Sequence, residues 1–158
     1  MSRELGSRLP IDIIAEVSKE SPRFNAIPLV SIDQEGFPHV ALLSYFELAY
    51  CHQELYFFIN SFSRSSKFLR ERSRCALIFV HSDFVYYLKG RTRQVTDFDS
   101  QTVFQFKLEA VLEDFPSAEE GEVFLKTGIR FGSAQEETGR RADLRQKVIQ
   151  LIEQMRKV

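Results

Sequence analysis

Five consecutive residues, Ser63-Arg64-Ser65-Ser66-Lys67, put three hydroxyls and two cations where an apolar run ends and a charged helical pattern begins. The first N–H groups of a helix lack intrahelical partners and carry partial positive charge. Hydroxyls and cations gathered at the same point add donors of the kind that a phosphate accepts. The same serines also make an ordinary helix cap on a solvated connector, since serine is among the preferred N-cap residues. No GxxxxGKS/T pattern occurs, so nucleoside triphosphate hydrolysis is not indicated. The ligand that this segment suggests is a monophosphate with a large apolar part, held by the aromatic run "ELYFFIN" before it.

Other reactive residue types are sparse. The chain has two cysteines, Cys51 and Cys75, no CxxC and three histidines, which gives no structural zinc pattern. Cys51 and His52 are neighbours, and neighbours on an extended chain point apart, so a Cys–His nucleophile is not expected. His39 could bond a ligand or face solvent, and His81 beside Asp83 reads as a loop residue or as a contact to a cofactor from a partner subunit. Arg91 and Arg93 alternate on one strand face, either simply exposed or as a second anionic contact or a dimer salt bridge. Glu119, Glu120 and Glu122 read as a solvated acidic loop. "GRRADLR" (139–145) could meet an anionic substrate, although Asp143 favours plain compensation of a helix dipole.

The elements that must position these residues are mostly strands. A short helix is expected over 10–20, with Ile13, Ile14 and Val17 on one face. Strands are expected over 26–33 and 38–46 around the turn "QEGF", making a hairpin. "AYCHQ" breaks the pattern, and 54–60 forms a third strand. A short helix follows over 64–72, then a fourth strand over 74–80, apolar on both faces and so central. A long strand (84–95), the loop "TDFDSQ", and a strand with one wet face (102–114) come next. Residues 122–131 read as a strand, with a helix as the competing reading. A polar loop (132–141) leads to an amphipathic helix over 142–158, with its stripe on Leu144, Val148, Leu151, Ile152 and Met155.

At 158 residues, 44% hydrophobic and 27% charged, the chain fits one globular domain, 1–158. The net charge of −1 lacks the basic surplus of a nucleic-acid binder. The opening residues lack the apolar core of a signal peptide, and no apolar run reaches membrane-spanning length. A reducing cytoplasm, with no membrane partner, is expected.

The order of these segments resembles the pyridoxamine 5′-phosphate oxidase-like family, the FMN-binding split barrels, over roughly residues 26 to 95. "VSIDQEGFPHVALLSYF" is similar to the family's opening hairpin. "LYFFINSFSRSSKFLRERSRCALIF" is similar to its third strand, phosphate loop, short helix and fourth strand. "YYLKGRTRQV" is similar to the next strand. Phe58, Ile59, Asn60, Ser63, Arg64 and Arg74 fall into the motif without a gap. The family's lysine after Ser–Arg is Ser65 here, with Lys67 two positions on. Its Asn–Pro is Arg72–Ser73, and the arginine of its second strand is Ala41.

The resemblance implies a mainly β fold, a six-stranded antiparallel split β-barrel (core 26–131) with short flanking helices. It implies FMN as cofactor and a homodimer that holds the flavin between subunits. Ser63 and Arg64, with Ser65 and Lys67 beside them, would meet the FMN phosphate. His39, Val40, Ala41 and Leu42, with Phe58, Ile59 and Asn60, would line the ring and ribityl chain, largely through backbone groups. The implied activity is hydride or electron transfer at flavin N5, to or from an unknown small substrate, with no catalytic side chain assigned. A flavin-storage or sensor module, or a deazaflavin- or haem-using relative, are the alternatives. The chain has no tryptophan and no match to the oxidases' C-terminal segment that grips pyridoxal phosphate, so vitamin B6 oxidation is not expected.

Overall fold

The computed structural model describes residues 2–19, 25–80, 84–116, 128–129 and 135–157. Its strands are β1 (Ser2–Gly6), β2 (Ala26–Ile32), β3 (Pro38–Ser44), β4 (Leu48–Cys51), β5 (Glu54–Asn60), β6 (Arg74–Val80), β7 (Val85–Phe98) and β8 (Gln101–Asp114). Its helices are α1 (Ile11–Val17), α2 (Arg64–Glu71) and α3 (Gln135–Met155). The strands form one antiparallel sheet in the order β3-β2-β6-β7-β8-β5-β4, with β1 paired to β8. The fold is mainly β, a curled sheet left open between its end strands β3 and β4, as expected of a split barrel.

The expected count of six strands is corrected to eight among the described residues. β1 lies in a segment where no strand was expected. β4 occupies what reads as a pattern break, because four residues are too few to show a period. The 3₁₀ turn before it, Tyr45–Glu47, is closed by a capping box. Ser44 N donates to Glu47 Oε2 at 2.6 Å, and the Ser44 hydroxyl lies 3.0 Å from the same oxygen.

The long β7–β8 hairpin positions much of the molecule. Each strand has 14 residues, and register shifts at Lys89/Gly90 and Gln94/Thr96 bend the pair. The turn is Asp99–Ser100 with φ of 48° and 63°, so the expected loop over 96–101 shrinks to two residues. At Gly90 the strands approach so closely that a Cβ would lie 2.2 Å from the Lys107 carbonyl oxygen. Burial alternates along β6, whose inner residues Cys75, Leu77 and Phe79 join the core. Its interior position between β2 and β7 agrees with expectation.

The main core fills the inside of the curl with Ile27, Leu29, Phe57, Leu77, Phe79, Leu88 and Phe104, among others. A second cluster lies on the outer side of β5 and β8, where Tyr56, Phe58 and Val103 pack against Val148 and Ile152 of α3. Helix α3 begins at Gln135, so the loop expected over 132–141 is helical from that residue on. Met155, placed in the buried stripe by the sequence, is 44% exposed.

Arg145 is the other departure. It is 4% exposed and donates to the carbonyls of Leu48 (2.9 Å), Lys19 (3.0 Å) and Val17. It therefore ties α3 to β4 and to the C-terminal end of α1, where carbonyls lack intrahelical partners. These bonds occupy its guanidinium. The expected strand over 122–131, the Glu119–Glu122 loop and His81 fall on residues outside those described, except for 128–129, which are irregular. Among the described residues no helix is long and apolar enough to cross a membrane.

Candidate functional site

The site is built where α2 meets the open side of the sheet. α2 packs against β2, β3, β5 and β7. β3 ends the sheet, and β4 covers β5 only from Glu54 to Phe57, which leaves one backbone edge of Phe58–Asn60 unpaired by β4. Among the described residues the first turn of α2 thus stands beside two strand edges that no further strand covers.

Ser63 is the N-cap, as expected: its Oγ accepts from the Ser66 amide at 3.1 Å. Because that oxygen is the acceptor, its own proton is free for a ligand. Ser63 N and Lys67 N are bonded to the carbonyls of Asn60 and Ser63 at 3.0 and 3.2 Å. The amides of Arg64 and Ser65 are the first-turn donors left over. Arg64 is exposed. Lys67 is exposed too, and pairs loosely with Glu71 at 3.9 Å.

Ser65 and Ser66 are buried, at 5% and 0% exposure. Ser65 Oγ lies 3.1 Å from His39 Nε2, and the His39 ring meets Phe68 edge-on at 5.1 Å. His39 therefore faces α2, neither directly into solvent nor toward a free ligand position. Ser66 Oγ is a buried polar atom with no hydrogen-bond partner. Such a group is uncommon and calls for an explanation such as an unseen ligand. The left-over amides beside it fit a phosphate at this turn.

The strand residues divide sharply. Val40 and Leu42 are 56% and 43% exposed, while Ala41 is half-buried. Phe58 is buried under α3, and Ile59 is buried in the main core. Their side chains are closed to any ligand, so only their backbone groups remain for one. Asn60 holds the loop: its Oδ1 accepts from Phe62 N at 2.8 Å.

Arg70 was not singled out in the sequence. It donates to the Ser61 carbonyl (3.3 Å), Thr102 Oγ1 (2.6 Å), Gln94 Oε1 (3.2 Å) and Asp97 Oδ1 (3.3 Å). It fastens the last turn of α2 and the loop before it to the β7–β8 hairpin. Its sequence signal is only that of a cation in a last turn, which reads as dipole compensation. Arg72 donates to the Gln34 carbonyl at 2.8 Å, so it holds the β2–β3 turn.

Burial pushes the Cys75 thiol up to about 12, and burial first, then the Glu153 charge, pushes Cys51 up to about 11 against the opposing pull of Arg156. Neither is a thiolate near neutral pH. His52 is the first residue of the β4–β5 turn, with φ of 52°. Among the described residues no cluster of His, Cys, Asp and Glu could hold a metal ion.

A family profile described as pyridoxamine 5′-phosphate oxidase matches residues 13–127. No curated protein matches the chain. Among solved structures, the chain is similar to a conserved hypothetical protein from Mycobacterium tuberculosis, with 12% identity and a TM-score of 0.55, covering 78% of this chain and 95% of that one. HutZ, a heme storage protein from Vibrio cholerae, is similar at 11% identity and a TM-score of 0.52, covering 68% and 96%. A protein of unknown function from Agrobacterium tumefaciens aligns at 9% identity and a TM-score of 0.51, covering 67% and 57%. Likeness at such identities concerns the fold.

Proposed function

The chain belongs to the pyridoxamine 5′-phosphate oxidase family, and from that premise we propose that it is an FMN-dependent oxidoreductase acting on a small substrate. The observation that carries this reading is the first turn of α2. That turn carries the Ser63 hydroxyl, the left-over Arg64 and Ser65 amides and the orphaned Ser66 Oγ, with the exposed Arg64 side chain beside them. When bound, FMN supplies reversible electron transfer, and the protein's task is to place it.

Each residue has a plain role in that placing. Ser63 donates its hydroxyl proton to a phosphate oxygen while still capping the helix. Arg64, exposed beside it, adds a charged hydrogen bond. His39 holds the Ser65 hydroxyl in one orientation. Arg70 keeps the Asn60–Ser63 loop in register with the hairpin. Val40 and Leu42 offer apolar cover for a ring system along the free edge of β3, with Ala41 between them contributing backbone. Lys67, already shared with Glu71, is a secondary contact.

A homodimer with the cofactor between subunits completes the reading. Phe37, Val40 and Leu42 are 64%, 56% and 43% exposed along one sheet edge, and a second copy would cover them. Haem is the rival occupant, since one protein of this fold stores it. Haem needs an axial ligand, and the histidine at this site is tied to Ser65.

The test is direct. Purified protein should carry, or take up, FMN identified by mass, and added FMN should raise the melting temperature. A deazaflavin mass or a haem Soret band in its place would overturn the cofactor assignment. NAD(P)H consumption with an electron acceptor then separates an enzyme from a storage module.

A further inference from the structure

We propose that the chain carries a second ligand site, a cleft for a small amphiphilic anion on the β5–β8–β7 side of the sheet. A cavity of about 970 Å³ opens between the loop before α1, the β4–β5 hairpin and the middle of β7 and β8. That volume suits a small organic molecule. None of its lining residues belongs to 39–42 or 58–67, so it is separate from the first turn of α2.

The lining has two characters. Half-buried Leu9 and Tyr50 give it an apolar side, over a floor closed by the buried pair Leu55 and Phe106, which face each other across β5 and β8. Arg8, Arg91, Arg93 and Lys107 give it four exposed cations against a single carboxylate, Glu54. Glu54 is already engaged, with Arg156 and with the Tyr56 hydroxyl at 2.7 Å. Arg91 is offset by Glu109 at 2.7 Å. Arg93 lies on the uncharged Gln105 through Nε (3.0 Å) and a terminal nitrogen (2.8 Å), so its charge stays uncompensated. Arg8 and Lys107 make no ion pair among the described residues.

The register sharpens the case. Arg91 and Lys107 are directly opposite on β7 and β8. Like charges at opposed positions destabilise a sheet. In a chain of net charge −1, such a local surplus is not a by-product of composition. An anionic head group would relieve it, bridging Arg93 and Lys107 while its apolar body lies toward the half-buried Leu9 and Tyr50. The shared chemistry is that of a carboxylate or phosphate monoester on a hydrocarbon or aromatic body.

The fluorescent sulfonate 8-anilinonaphthalene-1-sulfonate serves as probe on the full chain, titrated with and without FMN. Binding should persist with FMN present. Decanoate or decyl phosphate should displace the probe, and uncharged decanol should not. The pair Arg93→Gln and Lys107→Gln should weaken the probe at least tenfold, with FMN affinity unchanged and the melting temperature not lowered. The charge-reversing pair Arg93→Glu and Lys107→Glu should weaken it further. Less than a tenfold loss in the folded charge-reversed protein, equal displacement by decanol, or displacement by FMN itself would overturn the proposal. Absence of FMN binding leaves this test intact, because its readouts are those of the probe.

Discussion

At the scale of residues, the cap and the charge beside it do different work and should separate on mutation. Arg64→Ala removes a charged hydrogen bond from an exposed side chain. FMN affinity should fall by about 1.5–3 kcal/mol with the melting temperature unchanged; equal affinity in a titration would reject the role. Ser63→Ala removes the cap as well, so about 1 kcal/mol of stability should go with the affinity. Lys67→Ala should cost less affinity than Arg64→Ala, since Glu71 already holds the amine. Ser63 was legible because capping is local chemistry. The His39–Ser65 contact was not, because it joins residues 26 apart in sequence through the packing of α2 on β3. Arg70 escaped for the same reason: its partners come from three other segments. Glu47 gives a titratable check. Burial pushes its carboxyl up from 4.5, against the Ser44 bonds and the Arg141 charge, which pull it down. The folded state then holds the proton more tightly than the unfolded one. Its contribution is full below pH 4.5 and is lost as pH rises through the folded value. Glu47→Gln should therefore gain stability relative to wild type as pH rises from 4 to 7, and a flat difference would reject this reading.

At the scale of elements, the strands that alternate were legible and the short or interrupted ones were not. β8 shows its period over 14 residues. β4 does not, although Ser44-Tyr45-Phe46-Glu47 carries the Ser-x-x-Glu signature of the capping box that introduces it. The early start of α3 was hidden by Gly139, which reads as a breaker. A Cβ there would meet nothing within 4 Å, so the glycine costs the helix only its propensity, about 1 kcal/mol. Arg145 fixes that helix in place. Burial lowers its pKa, and the bonds to three carbonyls offset the cost of desolvation. Arg145→Ala should destabilise the fold by about 2–4 kcal/mol, read as a shifted denaturation midpoint, through the buried acceptors it strands. Arg145→Lys should recover only part, because a point donor cannot serve three carbonyls. Gly90→Ala should cost about 1–3 kcal/mol by overpacking against the Lys107 carbonyl.

At the scale of the whole molecule, the family and the split-barrel class were legible from three motifs in order, whereas assembly depends on surfaces that a sequence shows poorly. The run of exposed apolar residues on β3 predicts that Leu42→Glu shifts the protein to monomer in sedimentation velocity and weakens FMN binding with it. An unchanged sedimentation coefficient would reject the proposed dimer across β3. The open seam between β3 and β4 has a further effect on how the molecule breathes. The hydrogen-bond ladder stops at those strands, so the gap can widen without breaking a single rung, while β7 and β8 are clasped on both sides. Deuterium should enter the outer amides of β3 and the far end of β5 first, and those of the central hairpin last. A cofactor lodged across the gap would act as a clasp and slow exchange on both lips at once.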